Sequence, residues 1–340
     1  MAVPVAGRSL AAVAGGWVTR WTDRIVDWAF IVAVGAGEDY LRRERVRVAQ
    51  GVTLLIVQFL AWLGSSFIGF SLLLWPFVAG GITQAFAVAG GSITTLGFSG
   101  PAGTIPPAIV FAAAASGLVI VAPQIAYLPA LYAAYNRRET EVAMLNTRAG
   151  EPSWGPELLA RTSLAETDES ASDTLSDLYA QWERWAVDVA ESHSAYLPLV
   201  RFRSSQPRTS WVTALLAVLD SAALLQALSP KFVPVPARHC LRAGYLCFRQ
   251  IARAMRLDVP EDPHPDDPIA LSYEEFLDAV THLRDAGFPV GRDPAEAWHH
   301  FRGWRVNYEQ AAYALAFTVD APPALWSGPR RHGLAAISAR

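Results

Sequence analysis

The residues best suited to chemistry form one short run, Ser92-Ile93-Thr94-Thr95-Leu96-Gly97-Phe98-Ser99-Gly100. It lies inside a passage from Gly51 to Asn136 that contains no Asp, Glu, Lys, Arg or His. Thr94, Thr95 and Ser99 offer hydroxyls, and Thr95, Leu96, Gly97 and Phe98 offer consecutive main-chain carbonyls. Rings of such oxygens, contributed by several copies around an axis, replace the hydration shell of a monovalent cation. Irregular backbone at membrane depth is tolerated only where it is buried in protein or lines a water-filled cavity. The run therefore defines the expected ion-binding residues: Thr94, Thr95, Leu96, Gly97, Phe98 and Ser99.

The segments around the run must place it. Residues 48–76 form an apolar stretch long enough to cross about 30 Å of hydrocarbon, with Trp62 and Trp75 as interfacial anchors. Gly81 to Ile93 is apolar but too short to cross, which predicts a re-entrant helix. Gly100-Pro101-Ala102-Gly103 returns the chain, and residues 105–134 form a second span opened by Pro106-Pro107. Gly117, Pro123 and Pro129 fall within this span. Glycine lacks a side chain and proline deletes a helical hydrogen bond, so these are the expected bend points of a gating hinge. Their alternative reading is the ordinary glycine and proline content of membrane helices.

Arg42, Arg43, Arg45 and Arg47 precede the first span, and Arg137 and Arg138 follow the second. By the positive-inside rule both termini are expected in the cytoplasm, in a multi-pass protein of the cell inner (plasma) membrane. Residues 1–47 are read as a cytoplasmic segment carrying an interfacial amphipathic helix around Trp21 to Tyr40, with no evident cleavable signal peptide. Residues 48–136 are the pore module, 137–172 a linker around a short helix at 156–161, and 173–340 a helical cytoplasmic domain. Helical spacing of Leu175, Leu178, Trp182, Trp185 and Val189 supports that domain. Trp211 to Leu228 is nearly apolar enough to cross, but its length and Asp220 favour a buried core helix. Ser272-Tyr-Glu-Glu275 predicts a capping box. The expected fold class is an all-α membrane protein: two transmembrane helices with a re-entrant pore helix and filter loop, plus an α-helical cytoplasmic domain.

Several constellations point away from other chemistry. A net charge of −3 argues for no nucleic-acid partner. Cys240 and Cys247 read as reduced core thiols. Glu191, His193 and Asp220 read as buried structural groups rather than metal ligands or a proton switch. Asp262, His264, Asp266 and Asp267 lie among prolines without calcium-loop spacing. His299 and His300 read as surface residues beside the core residues Trp298 and Trp304. Neither a nucleophile elbow nor a phosphate-binding glycine loop is present, so no catalytic residue, cofactor or resident metal is expected.

Thr95-Leu-Gly-Phe98 and its two flanking spans resemble the two-transmembrane pore module of potassium channels. The stretches Tyr127 to Glu139, Trp182 to Trp185 with Glu191-Ser-His193, Arg201 to Ser204, Ser210 to Asp220 and Phe301 to Glu309 carry a second likeness. In these the chain is similar to a group of bacterial potassium-channel-like membrane proteins with a helical C-terminal domain. The resemblance implies a homotetramer in the lipid bilayer that passes K⁺, with assembly or gating by the cytoplasmic domain in response to an unknown regulatory ligand. Ser99 stands where the family's second filter glycine is usual, and Gly100 where an acid is. That departure motivates an alternative, a non-conducting pore-derived membrane scaffold or signalling anchor.

Overall fold

A computed structural model describes residues 17–34, 49–97, 107–165 and 168–328. Every regular element among them is helical: α1 (Trp17–Val34), α2 (Gln50–Leu74), α3 (Gly81–Ile93), α4 (Pro107–Ala149), α5 (Gly155–Ala165), α6 (Asp168–Ala195), α7 (Pro198–Arg201), α8 (Trp211–Leu228), α9 (Val235–Ala254), α10 (Tyr273–Asp285), α11 (Pro294–Arg305) and α12 (Glu309–Thr318). The chain divides into two compact units. Among the described residues the first holds everything up to Ala133 and the second everything from Ala134.

Among the described residues three helices are long and apolar enough to cross a membrane: Gln50–Phe77 (α2 with a terminal 3₁₀ turn), α4 and α8. They differ in what covers them. The most apolar windows of the first two are each 11% buried, whereas that of α8 is 100% buried. Leaving large apolar side chains bare along a whole helix is stable only where the surroundings are themselves apolar. These features make the chain a membrane protein.

In the first unit, α3 packs along α2. Phe67 and Phe86 stack with ring centroids 5.4 Å apart, and Leu74, Val78, Ala85, Val88 and Ala89 form a small buried cluster. α1 falls within the stretch expected to form an interfacial amphipathic helix. It packs on α2, with Thr22 and Val26 buried.

The second unit is built around α8, of whose residues all but Gln226 are buried. Ser210 caps it by accepting from the Val212 amide, and α5, α9 and α11 pack around it. The expected linker at 137–172 is instead core for much of its length. α4 continues unbroken to Ala149, and Arg138, Val142, Leu145 and Ala149, spaced along one face, are all buried. α5 buries Leu158, Leu159 and Ala160. Polar composition pointed to a linker, but the apolar residues repeat at helical spacing, and that row decides burial. The capping box forms as expected: Ser272 Oγ accepts from the Glu275 amide, while Glu275 accepts from the Ser272 amide at 2.9 Å.

Candidate functional site

α3 spans 13 residues, about 20 Å at 1.5 Å per residue, so it is too short to cross a bilayer. Its last turn is closed by Thr94 to Gly97. The Leu96 amide donates back to Gly91 O at 3.0 Å and the Thr95 amide to Ser92 O at 3.1 Å. The Gly97 amide also reaches Gly91 O, at 3.2 Å, and Thr94 Oγ1 donates to Gly90 O at 2.6 Å. These pairings are those of a Schellman cap, which needs a left-handed residue just after the helix. Thr95 occupies that position at φ 57°, and Gly97 follows at φ 64°. A β-branched residue there costs about 1–2 kcal/mol, a strain that glycine escapes.

The consequence is a separation of donors and acceptors. Four consecutive amides turn back onto the helix. Among the described residues no hydrogen bond ends on the carbonyls of Thr94, Thr95, Leu96 or Gly97, and all four residues are exposed. The negative end of the α3 macrodipole adds to these free oxygens. Such an end attracts a cation. Phe98 and Ser99, the other two expected ion-binding residues, lie outside the described residues.

Of the three expected bend points, Pro123 and Pro129 sit inside an α4 that runs on through both. Gly117 is also a point of close contact. It is buried, and a Cβ built on it would lie 1.9 Å from Ile93 O. The missing side chain is therefore what lets the end of α3 seat against α4, one residue before Thr94. The signal available in the sequence was a glycine in a helix that otherwise favours larger apolar residues, which alone does not separate a bend from a close contact.

No protein-family model, curated protein or solved structure matches this chain. Its own geometry has to carry the reading.

The constellations weighed for metal or proton chemistry come apart in space. Among the described residues no group of three or more His, Cys, Asp or Glu is placed to hold a metal ion. His193 meets Arg138, whereas Asp220 meets Arg305 and accepts from Tyr308 Oη at 2.8 Å. In the proline-rich loop, Asp267 accepts from the His264 amide and Asp266 pairs with Arg302 at 2.9 Å. Cys240 and Cys247 are free and buried.

Sequence reasoning treated Arg138 only as a topology signal. It is fully buried in the second unit, where its guanidinium donates to Leu199 O at 2.9 Å, Phe202 O at 2.6 Å and Glu139 Oε1 at 2.8 Å. Its Nη1 also lies 2.9 Å from His193 Nε2. A guanidinium only donates, so that nitrogen must keep its lone pair and the imidazole is neutral. Burial first, and the facing Arg138 second, hold His193 well below its ordinary range.

Below about pH 6.5 the unfolded chain takes up a proton on this histidine that the folded chain refuses. Stability is therefore full above that pH and falls as pH drops through it, by up to about 1.4 kcal/mol per pH unit for one proton. Melting of the full chain between pH 7.5 and pH 5 should show this slope, and His193→Asn should flatten it. An equally steep slope in the variant would assign the acid sensitivity to other groups.

Proposed function

We propose that copies of this chain surround an axis, four to a ring, and that the ring passes K⁺ passively. Each copy contributes α3 and the oxygens of Thr94 to Gly97, continued by Phe98 and Ser99. α2 and the first part of α4 cross the bilayer, α8 belongs to the core of the second unit, and both termini face the cytoplasm. The observation that carries the reading is the end of α3. A helix too short to cross finishes in four exposed carbonyls that accept no hydrogen bond among the described residues, inside an apolar module. Carbonyls left bare in hydrocarbon cost several kcal/mol each, so this end needs a cation, water or a neighbouring copy. A ring supplies all three.

The second unit assembles or gates the ring by its hold on the tail of α4. Arg137 forms a two-pronged pair with Asp188 of α6, and Arg138 grips α7. Trp185 Nε1 donates to Arg138 O at 3.2 Å. These contacts fix the part of α4 that belongs to the second unit.

Purified protein in planar bilayers tests the proposal. A K⁺ gradient should give a current that reverses near the K⁺ equilibrium potential and is little changed by Na⁺. Gly97→Ala places a side chain at positive φ, with a strain of about 1–2 kcal/mol, and should lower the current about tenfold. Silence of pure, ring-forming protein, or full current from the Gly97 variant, would remove the assignment.

One observation favours the non-conducting scaffold as a second reading. The Thr95 and Leu96 amides close a helix cap instead of running on as an extended lining. Density for ions on a symmetry axis beside Thr95 would exclude it.

A further inference from the structure

α1 is amphipathic with its polarity turned inside out. Asp23 accepts from Gln58 Nε2 at 2.7 Å and Asp27 from Gln50 Nε2 at 2.9 Å, both across to α2, beside the buried Thr22 and Val26. The pairing order, 27 with 50 and 23 with 58, makes the two helices antiparallel. The outer side carries Trp21, Ile25, Trp28 and Val32, which are 59%, 48%, 66% and 59% exposed. Their spacing of i, i+4, i+7 and i+11 is one continuous helical stripe.

A helix at a water-facing surface does the reverse. It turns carboxylates to solvent and buries its tryptophans. Here the carboxylates are held by amides of the neighbouring helix, and the bulky apolar groups point away from the protein. That is the arrangement hydrocarbon imposes, because polar groups in lipid find their partners inside the protein. Depth agrees with it. Gln58 lies eight residues into α2, about 12 Å from its start, in a helix apolar enough to cross. α2 also leaves Val52, Ile56 and Leu60 bare, so both helices of the pair turn bulky apolar groups away from the protein.

We propose that α1 is embedded in the bilayer beside the start of α2, with its Trp21–Ile25–Trp28–Val32 face against lipid acyl chains. Asp23–Gln58 and Asp27–Gln50 are the polar pairs that lock it in place. Arg24 is exposed on the same outer side, and its long stem lets the guanidinium rise to the headgroup phosphates. That limits α1 to the cytoplasmic-side leaflet. The inference rests on α2 crossing the bilayer and is independent of ion conduction.

Spin-label collision measurements on the full chain test it, in vesicles of phosphatidylcholine and phosphatidylglycerol. Single labels go on Trp21→Cys, Ile25→Cys and Val32→Cys, with Leu60→Cys as a lipid reference and Glu274→Cys as an exposed reference in the second unit. Cys240 and Cys247 are buried, and burial pushes their thiols well up, so the native pair stays unlabelled. The expected result is a several-fold preference for oxygen over a nickel chelate at all three α1 positions, as at Leu60. Nickel preference on α1 with oxygen preference at Leu60 overturns this inference alone. Nickel preference at Leu60 as well removes the crossing of α2 and everything built on it. Exclusion of both colliders with dipolar broadening between labels would show a second copy, not lipid, on the stripe and would also overturn it.

Discussion

Arg305→Met is expected to lower the stability of the second unit by about 3–5 kcal/mol, the range for removing one member of a buried ion pair. Arg305 is completely buried and every arm of its guanidinium is engaged. Nε donates to Glu309 Oε1 at 2.9 Å, Nη1 to Asp220, and Nη2 to Trp326 O at 2.7 Å and Tyr313 Oη at 3.0 Å. Glu309 in turn accepts from the Ala270 and Leu271 amides, at 2.5 Å and 3.2 Å. One cation thus joins α8, α11, α12, the segment before α10 and the turn at Trp326. Burial pulls the Arg305 pKa down, but the facing Asp220, with Tyr313 and Glu309, holds it well above the ordinary range. Methionine preserves the apolar stem and leaves two carboxylates buried against each other. Removing the charges together, as Arg305→Met with Asp220→Leu and Glu309→Gln, should recover much of the loss, because the cost lies in the unpaired acids and not in the missing pair. Thermal unfolding of the full chain in detergent, followed by near-ultraviolet circular dichroism, reads both variants. A single substitution costing under about 1 kcal/mol would place the hub of this unit elsewhere.

If the ring conducts as proposed, Gly117→Ala is expected to abolish the current while leaving the second unit's melting unchanged. The new Cβ meets a main-chain oxygen at 1.9 Å, and Ile93 C at 2.8 Å lies directly behind it. Neither atom is the tip of a flexible side chain, so α3 and α4 have to separate. Overpacking of this kind costs about 1–3 kcal/mol. The displacement falls on the residue before Thr94, where in the proposed ring sub-ångström placement of oxygens decides whether a dehydrated ion is held. Gly64→Ala, where nothing lies within 4 Å, is the matched control and should conduct normally. A glycine acting only as a gating bend would behave differently. Its alanine variant would alter the fraction of time open and leave both conductance and the melting of the first unit intact. Single-channel records therefore separate close contact from hinge.

Much of the architecture was legible in the chain as written. The uncharged passage from Gly51 to Asn136 marks a membrane module whatever its tertiary structure, because no charge can be stranded there without cost. The length of Gly81 to Ile93 sets a helix that stops short. Ser272 with Glu275 announces its helix start through local hydrogen bonding alone. What composition could not decide was which residues meet at a distance. Asp220 and Arg305 are separated by 85 residues and Arg138 and His193 by 55, and nothing local distinguishes a paired buried charge from a solvated one. Gln50 and Gln58 gave no sign that two aspartates of another helix would face them. Gly117 read as a bend because flexibility is a property of the residue, whereas its close approach to Ile93 O is a property of the pair. Periodicity is encoded along one helix, and partnership only when two helices are brought together.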